Sequence, residues 1–232
     1  MLRKAGLIGG LSWVATAHYY RRLNELTQEA LGGVASARIA LESVNRQEYV
    51  DAVIDRGDED AASIQIEHAA QALERAGADF LVITCNDVHR FVPAIAPRLS
   101  IPFLHIAEVA AKAAKDAGVQ KLAILGVRKT MEENFYPDAL ASHGIEAMVP
   151  NEAEKAFVHD TIYAELTQDV FRDQTRQSYI SLMEALAKRG ADGVALACTE
   201  IPLLIDPADC PIPAFSTTEL HCRATVEQMI RT

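Results

Sequence analysis

An internal repeat of more than 100 residues is the feature that most constrains the fold of this chain. Residues 73–87 (LERAGADFLVITCND) resemble residues 186–200 (LAKRGADGVALACTE) at a constant offset of 113. Two flanking pairs of segments match in the same order at offsets of 117 and 111: residues 4–9 with 121–126, and residues 101–102 with 212–213. A period of this length has the size of a domain and is too long for a solenoid repeat. The sequence therefore predicts two similar halves that face each other.

Each half predicts the same order of secondary structure. A short apolar run ending in glycine, at residues 6–10 and 122–126, is typical of a strand that is buried on both faces. A helix follows each run, at residues 14–30 with Ser12 as its N-cap in the first half and from Thr130 in the second. Each half then has an amphipathic helix, a Gly-Ala-Asp turn and a second buried strand that stops at a cysteine. Strands that alternate with helices predict parallel sheets.

We therefore predict an α/β fold of two similar Rossmann-like domains with parallel sheets, related by pseudo-twofold symmetry, with the active site in the cleft between them. Residues 38–44 are predicted to add a strand to the first half. The last helix, residues 219–230, is expected to return to the first half, because prolines near the C-terminus redirect the chain. The predicted domains are residues 1–101 with 212–232, and residues 102–211.

Composition and charge argue against several classes of protein. The 232 residues are 50% hydrophobic and 23% charged, which is not typical of a disordered chain. The net charge is −10, so neither nucleic acid nor an anionic membrane is an expected partner. No apolar run reaches the roughly 20 residues that span a bilayer. Residues 5–14 resemble the apolar part of a signal peptide, but this segment recurs in the repeat and is therefore interpreted as a buried strand. The four cysteines lack C-x-x-C spacing, which predicts free thiols in a reducing cytoplasm.

Two cysteines carry the predicted chemistry. Cys85 and Cys198 end equivalent strands, and in open α/β sheets ligands bind beyond the carboxyl ends of the strands. If the halves face each other, both thiols address one cleft from opposite sides. To invert a stereocentre, one group must remove a proton from one face while another supplies a proton to the opposite face. Paired thiols fill both roles and exchange them for the reverse reaction.

A thiol with the ordinary pKa of about 8.5 is mostly protonated at pH 7, so the site must favour the thiolate. Asn86 and Thr199 directly follow the two cysteines and are predicted to cap helices whose N-termini favour a thiolate and an anionic substrate group. Asp87 and Glu200 stand two residues after the cysteines, and His89 stands two residues beyond Asp87. These side chains are candidates to orient the thiols or to relay protons. A carboxylate beside a thiol by itself raises the pKa of the thiol, so the two influences oppose each other.

Several of these features also have structural interpretations. Free cysteines are often small buried hydrophobes, which is the expected role of Cys210 and Cys222. Residues 6–10 resemble a phosphate loop only loosely and are interpreted as a tight turn between a strand and a helix. The aromatic residues of the first helix are expected to pack in the core: Trp13, Tyr19 and Tyr20.

Four stretches of the chain form a recognisable set of motifs: Gly9-Gly10-Leu11-Ser12-Trp13; Ala76-Gly77-Ala78-Asp79 followed by Cys85-Asn86-Asp87-Val88-His89; Pro102-Phe103-Leu104-His105-Ile106; and Cys198-Thr199-Glu200-Ile201-Pro202-Leu203. They resemble the motifs of the aspartate/glutamate racemase family, the amino-acid racemases that need no pyridoxal phosphate. The resemblance covers essentially the whole chain. Residues 31–37 are similar to a stretch of the broad-specificity branch of that family.

The resemblance implies two α/β domains around a cleft, an amino-acid substrate and a homodimer, with Cys85 and Cys198 as the catalytic acid/base pair. It implies no cofactor, and the sequence contains no recognisable cluster of metal ligands. It also implies the remaining site residues: Glu200 as a catalytic neighbour of the second cysteine, Gly10 of the first glycine turn as a substrate-binding residue, and Asn86, Thr130 and Thr199 as ligands of the substrate α-carboxylate.

Two positions depart from the family pattern. The first motif of the family commonly reads Cys-Asn-Thr, whereas Asp87 places a negative charge at the third position, where it either weakens binding of acidic substrates or engages the substrate ammonium group. Relatives specific for aspartate often carry a lysine where this chain has Phe157, with Lys155 nearby. Arg46 is a candidate to replace that positive charge.

The sequence thus predicts a cofactor-independent amino-acid racemase or epimerase, with aspartate or glutamate as default substrates and a broader set as the close variant. Other enzymes of the same superfamily are alternatives: a hydantoin racemase, a maleate isomerase or an arylmalonate decarboxylase. The presence of both cysteines favours two-base inversion over these. A catalytically silent amino-acid-binding protein is the alternative from another class, and Asp87 keeps it open.

Overall fold

Residues 1–231 are described by a computed structural model, and the chain divides into two units. The first unit comprises Met1–His105 together with the chain from His221 onward, and the second comprises Ile106–Leu220. Each unit contains its own parallel β-sheet. The predicted fold class of two α/β units with parallel sheets is confirmed.

The first unit has a sheet with the strand order β2-β1-β3. Its strands are β1 (Ala5–Gly9), β2 (Ile39–Ser43) and β3 (Phe80–Ile83). Its helices are α1 (Trp13–Leu31), α2 (Arg46–Val50), α3 (Glu59–Arg75) and α4 (Val92–Ile95). A π-helical turn covers Asp51–Asp55, and 3₁₀ turns cover Asp87–Phe91 and Ala96–Arg98.

The second unit has a sheet with the strand order β5-β4-β6-β7. Its strands are β4 (Lys121–Leu125), β5 (Glu146–Met148), β6 (Gly193–Leu196) and β7 (Ala214–Ser216). Its helices are α5 (Ile106–Asp116), α6 (Arg128–Glu132), α7 (Phe135–Ser142), α8 (Glu152–Ala164), α9 (Asp173–Lys188) and α10 (Ile201–Leu204), with 3₁₀ turns at Leu166–Gln168 and Pro207–Asp209. The last helix, α11 (Thr217–Ile230), begins in this unit and continues into the first. Within residues 1–231, no helix combines the length and apolarity needed to cross a bilayer.

Successive residues of the central strands pack into different apolar clusters on the two faces of each sheet. In β1, Leu7 packs with residues of α1 and α11, whereas Ile8 packs with residues of α3. In β4, Ile124 packs with residues of α5 and α7, and Leu125 with residues of α8 and α9. Strands covered on both faces are apolar throughout, which accounts for the continuous apolar runs of the sequence.

The repeated Gly-Ala-Asp turn has the same structural role in both units. Asp79 Oδ2 accepts a hydrogen bond from the backbone amide of Lys4 at 2.5 Å, and Asp192 Oδ1 accepts one from the backbone amide of Lys121 at 2.8 Å. Each carboxylate ties the turn after a long helix to the start of the central strand. The aspartate recurs in the sequence because each central strand, β1 and β4, needs an acceptor for a backbone amide at its start.

The unit boundaries fall later in the chain than the predicted ones, at 105 and 221 instead of 101 and 212. Leu81 of β3 receives a hydrogen bond from the Leu104 amide and donates its own amide to the Pro102 carbonyl, which keeps this segment with the first sheet. Ser216 of β7 pairs with Leu196 of β6, which keeps the chain with the second sheet until α11 has begun. Both differences arise from short parallel pairings that have no strong sequence pattern.

The first helix agrees with prediction at its start and differs along one face. Ser12 Oγ accepts a hydrogen bond from the Ala15 amide at 3.2 Å, which confirms the N-cap. Tyr19 is buried, but the exposed fractions of Trp13 and Tyr20 are 73% and 56%, so their predicted core packing is wrong. Those two residues are seven apart and share the outward face of the helix.

Candidate active site

The first thiol lies at the carboxyl end of β3 and hydrogen-bonds to a carboxylate. Half-buried Cys85 donates from Sγ to Asp87 Oδ1 at 2.9 Å. The two residues belong to the segment that leaves the strand, where a parallel sheet presents its ligand-binding edge. The predicted proximity of this thiol and carboxylate is therefore a feature of the structure.

Three donors converge on the carboxylate of Asp87. In addition to the thiol, Arg90 Nη1 donates to Asp87 Oδ2 at 3.0 Å and the Tyr49 hydroxyl donates to the same oxygen at 3.3 Å. Arg90 Nη2 also donates to Glu59 Oε2 at 2.8 Å, and only 6% of the Arg90 side chain is exposed. Burial and the negative charge of Asp87 raise the pKa of Tyr49 far above its ordinary value, so this residue is a neutral donor.

The second thiol has a corresponding carboxylate. Buried Cys198 follows β6 and donates from Sγ to Glu200 Oε2 at 3.0 Å. The hydroxyl of Thr199 donates to the same oxygen at 2.5 Å. Glu200 is itself buried, with 7% of its surface exposed. Each unit therefore contains a thiol hydrogen-bonded to the carboxylate two residues further along the chain.

The predicted helices after the two cysteines are single turns. A five-residue 3₁₀ turn, Asp87–Phe91, follows Asn86, and the four residues Ile201–Leu204 follow Glu200. Asn86 is the N-cap residue of the first turn, as predicted, although its side chain makes no capping hydrogen bond. The N-cap residue of α10 is Glu200, so the predicted capping role of Thr199 is wrong. Proline stands in the first turn of α4 and of α10. Because turns this short sum few peptide dipoles, the predicted helix N-termini contribute less to stabilising a thiolate than full helices would.

His89 is completely buried and binds the backbone beside the first thiol. Its Nδ1 lies 2.9 Å from the carbonyl oxygen of Cys85; a carbonyl only accepts, so Nδ1 carries the proton. Burial, followed by the neighbouring His105 and His221, lowers the pKa of His89 well below its ordinary value, which keeps the ring neutral. Within the described residues Nε2 has no hydrogen-bond partner. The ring contacts the carbonyl and not the thiol, which suits an orienting role better than a proton relay.

The remaining predicted substrate ligands differ in how much of their hydrogen-bonding capacity is free. Gly10 has a φ of +86° and its amide already donates to Thr16 Oγ1 at 3.0 Å. Thr130 lies inside α6 and not at its cap; its side chain is fully buried, and Oγ1 has no partner among the described residues. Asn86 is buried, with 4% of its surface exposed. Arg46 is exposed at the first position of α2 and makes no ion pair within residues 1–231.

The two positions compared with the family lysine lie on α8. The Phe157 ring packs against Tyr179 with centroids 5.3 Å apart, next to the apolar cluster of the second unit. Lys155 forms ion pairs with Glu132 at 3.2 Å and Glu152 at 2.6 Å. Neither side chain supplies an unpaired positive charge.

The other two cysteines have different surroundings. Cys222 is fully buried in the cluster between β1, α1 and α11, as expected of a small hydrophobe. Cys210 is partly buried, and burial, together with Asp209 and Asp206, raises its pKa to about 11, which keeps it a thiol. Among the described residues, no group of three or more His, Cys, Asp or Glu side chains is placed to hold a metal ion.

Sequence reasoning missed the residues that brace Asp87, namely Tyr49, Glu59 and Arg90. The spacing of three residues between Asp87 and Arg90 was a readable signal, because side chains three apart meet on a helical turn. No pattern in the sequence connects Glu59 or Tyr49 with this turn, since both come from distant elements.

The profile of the Asp/Glu/hydantoin racemase family matches residues 8–225. The chain belongs to this family. Racemases are isomerases, so the chain is an enzyme of the isomerase class.

Three similar proteins extend this assignment. The "broad specificity amino-acid racemase RacX" of Bacillus subtilis is 24% identical over 224 residues, covering 95% of this chain and 96% of RacX. A solved structure from Yersinia pestis, assigned as an Asp/Glu racemase, is 35% identical with a TM-score of 0.92 and covers 99% of this chain and 100% of its own. An aspartate racemase homologue from Pyrococcus horikoshii OT3 is 27% identical with a TM-score of 0.86, again covering 99% and 100%. Together they support amino-acid racemase activity in this family member.

Proposed function

We propose that the protein is a cofactor-independent amino-acid racemase in which Cys85 and Cys198 act as the two acid/base groups. The observation that carries this proposal is the paired arrangement of thiol and carboxylate. Cys85 Sγ lies 2.9 Å from Asp87 Oδ1, and Cys198 Sγ lies 3.0 Å from Glu200 Oε2, each at the carboxyl end of a buried parallel strand. A duplicated acid/base group is what an enzyme needs when it must treat both faces of one carbon alike.

The chemistry balances with these groups alone. The thiolate of one cysteine takes the proton from Cα, and the electron pair of the C–H bond passes to the substrate, where it is delocalised into the adjacent carboxylate. The thiol of the other cysteine then gives its proton to the opposite face of Cα and becomes the thiolate. The enzyme ends with its proton on the other cysteine, ready for the reverse reaction.

Several polar groups are suited to holding the substrate. Thr130 Oγ1 is buried and has no partner within the described residues, so a substrate α-carboxylate would complete its hydrogen bonding. Asn86 and Thr199, each adjacent to a cysteine, are proposed to contribute to the same group. Asp87 is engaged by Arg90 and is assigned to the thiol instead of the substrate ammonium group.

Aspartate and glutamate are the proposed default substrates. Arg46 is an exposed cation at the first position of α2 with no ion pair of its own within residues 1–231, and it is available to a second substrate carboxylate. The position compared with the family lysine holds Phe157, which offers apolar contact instead of charge. This combination favours a broader set of amino acids in addition to the acidic pair.

The proposal is tested by proton NMR in deuterium oxide. Purified protein is incubated, without added cofactor, with a panel of single-enantiomer amino acids, and loss of the Cα proton is followed together with formation of the opposite enantiomer. We expect exchange and inversion for at least one acidic amino acid. Cys85→Ser and Cys198→Ser should each abolish inversion, because each removes one of the two acid/base groups.

Cys210→Ser is the matched control, since this thiol is partly buried and lies outside both thiol–carboxylate pairs. It should retain the activity of the unmodified protein. Absence of exchange with every amino acid would overturn the proposal and direct the search to hydantoins, maleate and arylmalonates. Binding of an amino acid without exchange, unaffected by loss of both thiols, would support a silent binding protein.

A homodimer and a cytoplasmic location stay predictions, the first from the family resemblance and the second from the free cysteines. Size-exclusion chromatography with light scattering tests the first directly, and a mass of one chain would contradict it.

A further inference from the structure

The first thiol–carboxylate pair contains a buried cation. Arg90 donates from Nη1 to Asp87 Oδ2 at 3.0 Å and also to the Asp87 carbonyl oxygen at 2.8 Å, so it binds both the side chain and the backbone of one residue. Its Nε and Nη2 donate to Glu59 Oε2 at 3.3 and 2.8 Å. The guanidinium carbon lies 4.2 Å from the centroid of the Phe91 ring. These contacts fix the guanidinium in one place and one orientation.

Burial of this side chain would be unfavourable without its partners. Burial alone lowers the pKa of Arg90, but the negative charge of Asp87 and the hydrogen bond to Glu59 raise it overall, so the group is a permanent cation. A buried cation held by two carboxylates from different elements has little freedom to serve a distant ligand. Arg90 is separated from the Cys85 thiol only by the Asp87 carboxylate, which is hydrogen-bonded to both. Arg90 is therefore placed to influence that thiol.

The electrostatics of the pair give Arg90 that role. A lone carboxylate 2.9 Å from a sulfur would strongly oppose loss of the thiol proton, because two negative charges would then face each other. Arg90 and the Tyr49 hydroxyl both donate to Asp87 Oδ2, the oxygen that does not bind the sulfur, and they draw the negative charge of the carboxylate toward that oxygen. The carboxylate can then hold the thiol in place and still permit a thiolate.

We propose that Arg90 is a positioning residue of the first thiol: it holds the Asp87 carboxylate against Cys85 and offsets its charge, so that Cys85 can lose its proton. Asp87 accordingly serves the thiol and is not a substrate ligand. This inference deepens the proposed racemase function and rests on it for its purpose, although the effect on the thiol is measurable by itself.

Charged and titratable groups reach the Cys85 region from each of the surrounding elements. Tyr49 comes from α2 and Glu59 from α3, while Asp87, His89 and Arg90 come from the turn after β3. His89 is neutral and faces the carbonyl of Cys85, and the high pKa of Tyr49 keeps it neutral also. The charges that change the thiol are therefore those of Asp87, Arg90 and Glu59.

The test is the pH dependence of alkylation of Cys85 by iodoacetamide, read by peptide mass spectrometry in the full-length folded protein. Arg90→Gln removes the cation and should move the midpoint of the alkylation profile to higher pH by about one unit. Asp87→Asn removes the anion and should move it to lower pH by a similar amount. The double variant Asp87→Asn with Arg90→Gln should lie close to the unmodified protein, because both charges are gone. Arg90→Lys keeps the positive charge but not the forked guanidinium, and its midpoint should lie much closer to that of the unmodified protein than the midpoint of Arg90→Gln does.

Arg21→Gln is the matched control, since Arg21 is an exposed arginine of α1 whose ion pair with Glu25 at 3.7 Å lies outside this network. It should leave the midpoint unchanged. An unchanged or lower midpoint in folded Arg90→Gln would overturn the inference. If that variant does not fold, an unchanged or higher midpoint in Asp87→Asn overturns it equally.

The same measurement separates this inference from the proposed function. If no amino acid is racemised but the midpoints move as described, the racemase proposal fails and the role of Arg90 at the thiol stands. If racemisation occurs and the midpoints do not move, the racemase proposal stands and Arg90 is only a structural ion pair.

Discussion

The two units contain equivalent helices after their central strands, yet the threonine at this place has opposite surroundings in each. In the first unit, Gly9 lies against Thr16, whose hydroxyl accepts from the Gly10 amide, donates to the Ser12 carbonyl and contacts Thr84 Oγ1. In the second unit, Gly126 lies against Thr130, whose hydroxyl is buried with no partner among the described residues. One threonine is used to hold the fold, and the other has capacity left for a ligand.

The thiol–carboxylate pairs show the same division. Asp87 is braced by Arg90, Tyr49 and, through Arg90, by Glu59, whereas Glu200 is held by the adjacent Thr199. The two units therefore have similar folds, but the carboxylates beside their thiols are held by different sets of residues. In the first unit Thr16 and Asp87 are both bound by several neighbouring groups, whereas in the second the Thr130 hydroxyl has no partner among the described residues.

Gly10→Ala should have the largest effect on stability. This glycine has a φ of +86°, and an added Cβ would lie 2.1 Å from the Val44 carbonyl oxygen. We expect a loss of at least about 3 kcal/mol in the free energy of unfolding, measured in urea, because backbone would have to move. The equivalent position in the second unit is Val127, with a φ of −64°, so only the first half-site has this requirement.

Gly32→Ala is the control for the effect of the backbone angle alone. Gly32 also has a positive φ, +76°, but nothing lies within 4 Å of an added Cβ. Its ψ of −178° places it in a region that essentially only glycine adopts, so the backbone strain by itself should cost about 1 to 3 kcal/mol. Equal losses in the free energy of unfolding for the two variants would show that the close approach of the Val44 carbonyl oxygen does not explain why position 10 is glycine.

Thr16→Val should destabilise the protein by about 1 to 3 kcal/mol. The substitution leaves the buried Gly10 amide without its acceptor, and an unpaired buried polar group costs about that much, whereas Thr84 keeps its hydrogen bond to the Ile8 carbonyl oxygen at 3.3 Å. Urea unfolding of this variant beside the unmodified protein measures the loss directly. A loss below about 0.5 kcal/mol would contradict the assigned use of the hydroxyl.

Acid should weaken the first unit before the second. His221 is fully buried, with Nε2 donating to the Leu104 carbonyl oxygen and Nδ1 accepting from the Tyr19 hydroxyl. Burial lowers the pKa of His221 to about 4. Below the unfolded pKa of about 6.5 the unfolded chain binds a proton that the folded chain does not, so stability falls with falling pH until about pH 4.

At pH 5 this histidine alone should remove about 2 kcal/mol of the stability present at pH 7. The neutral, buried His89 acts in the same direction. Hydrogen exchange at pH 7 and 5, with exchange rates corrected for intrinsic chemistry, should show amides of β1, α1 and α11 losing more protection than those of the second sheet. His221→Gln should reduce this difference, and a pH-independent profile in the unmodified protein would refute the assignment.

Thr130→Val should have a selective effect on catalysis and should not destabilise the fold. No hydrogen bond within the described residues is lost, and a methyl group in place of a buried, unpaired hydroxyl removes a desolvation penalty, so the free energy of unfolding should stay the same or rise. If the hydroxyl holds the substrate carboxylate, kcat/KM should fall by about tenfold or more, which corresponds to one lost hydrogen bond to a charged group. An unchanged kcat/KM would remove Thr130 from the substrate site.

Much of this arrangement could be predicted from the sequence because it depends on local, repeated requirements. The apolar runs predict strands buried on both faces, and the aspartates of the Gly-Ala-Asp turns recur because each must accept a backbone amide, as Asp79 and Asp192 do. The cysteines end strands for the same topological reason. These features follow from the covalent order of the chain.

The parts that could not be predicted depend on contacts between distant segments. Glu59 and Arg90 are 31 residues apart and meet only because α3 packs beside the turn after β3. The exposure of Trp13 depends on which face of α1 meets the sheet. The shortness of the turns after the cysteines was not readable either, because the prolines in the first turns of α4 and α10 are equally compatible with longer helices.

Two acid/base thiols acting on one carbon leave a characteristic position of deuterium at low conversion. A single L-amino acid substrate is converted to less than about one tenth in deuterium oxide, the enantiomers are separated, and the label at Cα is measured in each by mass spectrometry. A two-base mechanism protonates the product from a different group than the one that deprotonated the substrate. The D-enantiomer should therefore carry deuterium while the remaining L-enantiomer carries almost none. Equal labelling of both enantiomers, or a product that keeps the original proton, would contradict a mechanism with two acid/base thiols.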